Sequence, residues 1–193
     1  MSGSNPLRQH GMDETNEVAE TAVRHITHFL QTYFQSGRWP QTVALHNVEQ
    51  DPAYQQFDVD LLWTVKDKTG ELRVIPIEVK GDRYHQTGNF FFETISNKQK
   101  KTPGCFLYTK ARWLFYYFVL THHLYCLPVT RVRAWFLTHV EQFEERETST
   151  PVGNNRYYVT IGRLVPINVV LEAVPGVLQF RRNNGEWQQI RVG

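Results

Sequence analysis

The chain has 193 residues, enough for one substantial core and fewer than usually divide into several. With 41% hydrophobic residues, 21% charged residues and a net charge of +2, it is neither an acidic disordered tail nor a polycation. A nucleic-acid partner must therefore be argued from where the charge sits, and two cysteines exclude a disulfide framework or a four-cysteine zinc site.

In chain order, residues 1–12 are polar, lack the apolar core of a signal peptide and are expected to be a flexible leader. Val18, Ala22, Ile26, Phe29, Leu30 and Tyr33 recur at helical spacing, and Gly37 and Pro40 stop the run, so a helix is predicted over about residues 14–36. A short strand is expected at 42–45 and a loop at 50–55. From 57 to 65 the sequence alternates: Phe57, Val59, Leu61, Trp63 and Val65 face one way, and Asp58, Asp60, Leu62 and Thr64 the other. A second run from Leu72 sets Ile75, Ile77 and Val79 against Pro76, Glu78 and Lys80. The two read as a β-hairpin turned at Lys68-Thr69-Gly70, with Trp63 opposite Ile75, Leu61 opposite Ile77 and Val59 opposite Val79 on the core face. Asp60 then faces Glu78, and Asp58 faces Lys80. Pro76 is the weak point of the second strand, because it lacks a ladder donor.

Further along, residues 90–96 read as extended and 105–109 as a short apolar strand. Residues 110–119 read as a helix, 123–129 as a strand and 131–142 as a helix running into the acidic run 141–147. Residues 148–155 read as a polar linker, the sole candidate boundary between a core at 13–147 and a C-terminal extension at 148–193 packed on the same domain. That extension is expected to hold a strand, a short helix near 168–173 and a hairpin turned at Asn183-Asn184-Gly185. The apolar stretch 113–129 is too short, and too polar at His122 and His123, to cross a membrane. A cytoplasmic protein with no membrane partner is expected.

Two carboxylates opposed on neighbouring strands repel unless something compensates them, and a divalent cation is the natural compensation. One or two carboxylates with retained waters describe a Mg²⁺ site, where Mn²⁺ substitutes. Lys80 beside it supplies positive charge for a water and for a phosphoryl oxygen. Between Lys80 and Arg112 seven basic residues face two acids, a net +5 within a chain of +2, so the remainder carries −3. Arg83, Lys98, Lys100, Lys101, Lys110 and Arg112 are thus candidate DNA contacts, with Tyr84 as a base-stacking residue, while most Phe side chains of 90–92 are assigned to the core. The pairs His25/His28 and His122/His123, with Cys126, lack further ligands at a recognised zinc spacing.

The arrangement Val59-Asp60-Leu61-Leu62 followed by Ile77-Glu78-Val79-Lys80 resembles the PD-(D/E)XK nuclease superfamily, the restriction-endonuclease-like fold. Lys80-Gly81-Asp82, Thr87-Gly88-Asn89 to Glu93, and Thr109-Lys110-Ala111-Arg112 are similar to motifs of a phage- and mobile-element-associated branch, with Arg112 standing where an acid belongs. The resemblance covers about residues 14–130. It implies an α/β fold whose central mixed sheet is flanked by helices in αβββαβ order. It further implies that Asp60, Glu78 and the Val79 carbonyl bind metal, that Glu20 completes the site (Glu17 being placed almost as well), and that Lys80 serves the nucleophilic water. Glu93, Asn89 and Asp82 are additional active-site candidates. The expected function is metal-dependent hydrolysis of DNA, endo- or exonucleolytic and structure-selective or weakly specific. Two other readings are carried beside it: a DNA-binding or regulatory protein on the same fold that has lost turnover, and a protein-interaction role. A homodimer is compatible with each.

Overall fold

Apolar alternation in this chain builds two stacked sheets rather than one. The computed structural model describes residues 8–9, 12–35, 38–151 and 157–190. The hairpin leads to the centre of the larger sheet. Strand β3 (Leu61–Lys66) pairs antiparallel with β4 (Leu72–Asp82), with Trp63 opposite Ile75 and Leu61 opposite Ile77, in the register the alternation predicts. On the far side of β3 lies the edge strand β2 (Gln41–Asn47), longer than predicted. β4 runs parallel to β7 (Trp113–Phe118), which turns back into β8 (His123–Pro128). The hairpin of β11 (Leu178–Asn183) and β12 (Glu186–Ile190) completes a seven-stranded mixed sheet of order β12-β11-β8-β7-β4-β3-β2.

Pro76 costs this sheet nothing. Within a strand the N–H and C=O of one residue point to the same side, and the Pro76 carbonyl accepts from the Arg112 amide at 2.8 Å. Its missing donor therefore faces β7, whose ladder with β4 begins only at Ile77 and Trp113.

Helix α1 (Met12–Tyr33) covers one face. Its Ala22, Ile26, Phe29 and Leu30 pack on Leu61, Trp63, Ile75, Ile77, Phe115, Tyr117 and Phe180. The other face packs on the second sheet and on helices α3 (Cys105–Tyr108), α4 (Val129–His139) and α5 (Ile167–Ala173) through Tyr116, Phe118, Tyr125, Phe90, Phe92, Phe106 and Phe136. Phe92 and Phe106 stack with centroids 4.3 Å apart. The aromatic excess of the composition is thus largely core, as expected for Phe90 and Phe92. Strands β7 and β8 are buried on both faces, which turns an alternating strand into an unbroken apolar run. That is why residues 110–119 read as a helix, whereas Trp113–Phe118 within them form a strand.

The second sheet has five strands in the order β1-β9-β10-β5-β6, formed by β1 (Arg8–Gln9), β9 (Glu144–Pro151), β10 (Tyr157–Pro166), β5 (Asn89–Asn97) and β6 (Thr102–Pro103). Several expectations are corrected here. Arg8–Gln9 is a strand paired with β9 and Met12 opens α1, whereas residues 1–7, 10 and 11 of the predicted leader lie outside the described residues. The predicted loop at 50–55 contains helix α2 (Pro52–Gln55), which Asp51 caps by accepting from the Ala53 amide at 2.8 Å. Residues 105–109 form α3 rather than a strand. The acidic run and the start of the polar linker form β9, since β10 offers them a full antiparallel ladder. The final third therefore supplies strands to both sheets. Among the described residues no helix is long and apolar enough to cross a membrane.

Arg133 of α4 ties these layers together: its guanidinium donates to the Phe106 carbonyl at 2.9 Å and the Thr109 carbonyl at 2.8 Å. Arg133→Ala leaves both acceptors without a partner and is expected to cost about 1–3 kcal/mol in urea denaturation, with the slope m unchanged.

Candidate active site

The site forms where β3 ends and β4 continues. β3 pairs with β4 only as far as Leu61 and Ile77, so β4 beyond Ile77 keeps one edge open. The chain before β3 does not extend the ladder as the alternation of 57–65 suggests. Asp58 sits at φ 47°, held there by the Thr109 hydroxyl, which donates to the Asp58 carbonyl at 2.7 Å, and by the Lys110 amide, which donates to the Phe57 carbonyl at 2.9 Å. The predicted pairs of Val59 with Val79 and Asp58 with Lys80 are therefore absent from the described ladder. Asp60 instead folds over the open edge. Its amide donates to the Ile77 carbonyl at 2.9 Å, and its Oδ2 accepts from the Val79 amide at 2.7 Å. The main-chain groups of Val79 and Gly81 point to this same open side.

Helix α1 closes over the edge at Gly81, where a Cβ would stand 2.8 Å from the Val18 carbonyl oxygen and 3.0 Å from the Ala22 Cβ. Only a glycine lets the helix approach this closely.

A cleft of about 950 Å³ opens here between the sheets, lined by Asp60, Glu78, Val79, Lys80, Asp82, Arg83, Tyr84, Asn89, Glu93 and Cys105, with β9 as its far wall. Asp60, Glu78, Lys80 and Glu93 are brought together as the sequence suggests. Burial, followed by the charges of Asp60 and Asp58, pushes the Glu78 carboxyl well above the ordinary range. Its Oε2 is buried and has no hydrogen-bond partner. Burial also raises Asp60 to about 6 against the opposing pull of the Val79 amide, with Glu49 and Asp58 adding to the rise. Lys80 reaches across to the second sheet and pairs with Glu93, the two side chains keeping 30% and 15% of their exposure. Burial opposes the charge on Lys80, but the carboxylate of Glu93 overcomes it and holds the ammonium above the usual lysine range. The ion pair with Glu93 thus favours the charged form of Lys80.

Other candidates take supporting places. Asp82 accepts from the Tyr84 amide at 2.7 Å and from the buried Tyr116 hydroxyl at 2.5 Å. The Asn89 side chain donates to the Thr87 carbonyl at 2.8 Å, shaping the turn from which β5 carries Glu93 to the cleft. Thr109, in the stretch resembling a family motif, clamps the loop that bears Asp58 and Asp60. Glu20 is corrected: it is exposed, and the helix presents Thr15, Val18, Ala19 and Val23 to the cleft instead. Glu17 is likewise exposed and off the cleft wall.

The basic strip is not one surface. Lys98 pairs with Glu147 at 2.5 Å, and Lys100 and Lys101 lie on the turn between β5 and β6. Lys110 is exposed outside the cleft, and Arg112 lines a separate apolar groove of about 690 Å³ with Phe29, Tyr33 and Trp39. An arginine at 112 therefore removes no carboxylate from the cleft wall.

Two residues outside the sequence-predicted site set stand beside it, Asp58 and Cys105. Asp58 is a further acid whose Oδ2 is buried without a partner and whose carboxyl burial raises despite a hydrogen bond to Tyr108. The Cys105 thiol is pushed well up by burial and then by Glu93. A signal for Asp58 was present, since a short polar side chain tolerates the left-handed turn it occupies. Cys105 carried none.

Eight acids line the cleft (Glu49, Asp60, Glu78, Asp82, Glu93, Glu144, Glu145 and Glu147) against Lys80, Arg83 and Arg146, so by itself it repels phosphate. Among the described residues no three His, Cys, Asp or Glu side chains form a ready-made metal cage. Two carboxylates, one with an orphaned oxygen, beside a carbonyl on an open strand edge nevertheless fit a hard cation that keeps several waters. No family model matches this chain, and no curated protein or solved structure is significantly similar to it. Its fold stands as a mixed α/β architecture with a curled central sheet, and its site as a carboxylate and lysine cleft.

Proposed function

We propose that this chain is a Mg²⁺-dependent nuclease that hydrolyses phosphodiester bonds in DNA. The observation that carries the reading is the half-buried Asp60 and Glu78 pair on the open edge of β4, with the Glu78 Oε2 buried and orphaned and Lys80 in the same cleft. The likeness of these residues to the PD-(D/E)XK pattern supports the same chemistry. Asp60, Glu78 and the Val79 carbonyl would hold Mg²⁺ or Mn²⁺. When bound, the ion neutralises the carboxylates, polarises a phosphoryl oxygen and lowers the pKa of water. Lys80, kept charged by Glu93, orients that water and stabilises charge gathering on the phosphoryl group. Glu93 is a positioning residue. Asp60 fixes its own carboxylate through the Val79 amide, leaving its second oxygen for the ion.

The test is cleavage of plasmid, single-stranded and branched DNA in Mg²⁺ or Mn²⁺. Lys80→Ala and Glu78→Ala are each expected to lower the rate by about 100-fold or more. Cleavage that persists in both variants overturns the reading. Salt-dependent DNA binding with no cleavage in any metal would instead leave a regulator on the same fold.

A second expectation concerns protons. Asp60 and Glu78 both hold protons more tightly than ordinary carboxyls, and a metal must displace them. Mn²⁺ binding is therefore expected to release protons at neutral pH and to weaken as pH falls through about 6. Titration calorimetry in two buffers of different ionisation enthalpy measures the release.

A further inference from the structure

Beyond the cleft, one end of the seven-stranded sheet gathers four imidazoles and two guanidinium groups. β11 runs antiparallel beside β8 as far as the turn that joins β7 and β8, so that Arg181 stands opposite His123 and the Arg182 amide donates to the His122 carbonyl at 3.0 Å. On one face His85 stacks on His123 with centroids 4.2 Å apart, and its Nε2 lies 3.1 Å from the Tyr125 hydroxyl. On the other face the Tyr117 hydroxyl lies 2.9 Å from His25 Nδ1 and 2.7 Å from His122 Nδ1.

Burial and then the arginine charges hold His25, His85 and His122 below the ordinary histidine range, and burial followed by the His85 and Arg181 charges does the same for His123. The charge of Asp82 reaches His85, and the two Asp82 oxygens already accept from the Tyr84 amide and the Tyr116 hydroxyl. Arg181 is exposed. The imidazoles held below their ordinary range are uncharged at neutral pH, so the positive charge of this end comes from Arg181 and Arg182, and two neighbouring guanidinium groups beside polar rings suit the phosphates of an external polyanion. Its position names which one, because His85 follows directly on Arg83 and Tyr84, which line the cleft.

We propose that this end of the sheet is the exit track of a nucleic acid held in the cleft, with Arg181 and Arg182 on its phosphates and His85 and His122 beside them. The proposal rests on the nuclease reading and adds where the strand leaves the site. It also replaces the basic strip of residues 98–112, which the fold disperses.

The test is fluorescence anisotropy of labelled duplex and single-stranded DNA with the full chain, in Ca²⁺ to keep the DNA uncut, from about 50 to 300 mM KCl. Arg181→Ala/Arg182→Ala is expected to weaken binding about ten-fold at low salt and to flatten the log K against log salt slope by about two. Arg181→Lys/Arg182→Lys is expected to retain the slope, and Lys66→Ala/Lys68→Ala, at the far hairpin turn, to match the parent. An unchanged slope in the alanine variant overturns the track while leaving the cleft reading intact. An equal loss in the Lys66/Lys68 variant also overturns it, since net charge alone then explains the effect. A parent chain that neither binds nor cuts DNA overturns both readings.

Discussion

Glu78→Gln is expected to melt at a higher temperature than the parent chain at pH 7–8 in the absence of metal, while losing metal-dependent cleavage. In the unfolded chain the glutamate titrates near its ordinary 4.5, whereas burial and the Asp60 charge keep the folded carboxyl protonated to much higher pH. Between those values the native state binds the extra proton, so stability falls as pH rises. The contribution is fully present below about pH 4.5 and is lost as pH climbs through the raised folded value. Asp60, raised from 3.8 to about 6, acts in the same direction, on the order of 2–3 kcal/mol above pH 6. A glutamine keeps the shape of Glu78 and removes the need to ionise there. The gain should therefore be large at pH 8 and shrink to nothing near pH 4, measured as Tm across that range. A Glu78→Gln chain less stable than the parent at pH 8 would show that the carboxyl is not held under this strain.

Among the described glycines, Gly104→Ala is expected to be the most disruptive change to alanine. Gly104 donates its amide to the Thr94 carbonyl at 2.9 Å as α3 docks on β5. A Cβ there would stand 2.1 Å from the Glu93 carbonyl oxygen and 2.3 Å from its carbon, against rigid backbone rather than a side chain that can swing away. The helix must back off the strand, opening the Phe92 and Phe106 stack and moving the carboxylate that holds Lys80. A loss of about 3 kcal/mol or more is expected in urea denaturation, at the upper end of overpacking costs. At Gly88, by contrast, a Cβ meets nothing within 4 Å, though its positive φ of 70° adds strain of its own. Gly88→Ala should therefore cost less, and an equal loss at both positions would refute the steric account.

The hairpin was readable because one of its faces is apolar and the other polar, so only one register spares Trp63 and Ile75 from water. Glu78 and Lys80 followed from that register. Asp60 stands beside Glu78 by a different route from the one the alternation implies: it folds over a free edge rather than lying opposite Glu78 in a ladder. β7 was misread because a strand buried on both sides loses its alternation. The second sheet left little trace, since Phe91 of β5 finds its partner Leu164 far along the chain and β9 is charged enough to pass for a loop. The basic strip failed for a related reason. Neighbours in sequence from Lys80 to Arg112 are spread over two sheets and a separate groove, whereas Arg181 and His85 meet from opposite halves of the chain.

The parallel pairing of β4 with β7 sets how the cleft can open and close. Ile77 and Trp113 are 36 residues apart, so this contact forms only after a long loop closes, and the strand carrying Glu78 and Lys80 has no second neighbour until it does. The amides of β7 should therefore exchange with deuterium only through global unfolding, and those of β4 from Glu78 onward should share that rate on their β7-facing side. The cleft then belongs to the most slowly exchanging unit of the protein, and a ligand that tightens it would be read across the whole fold rather than locally.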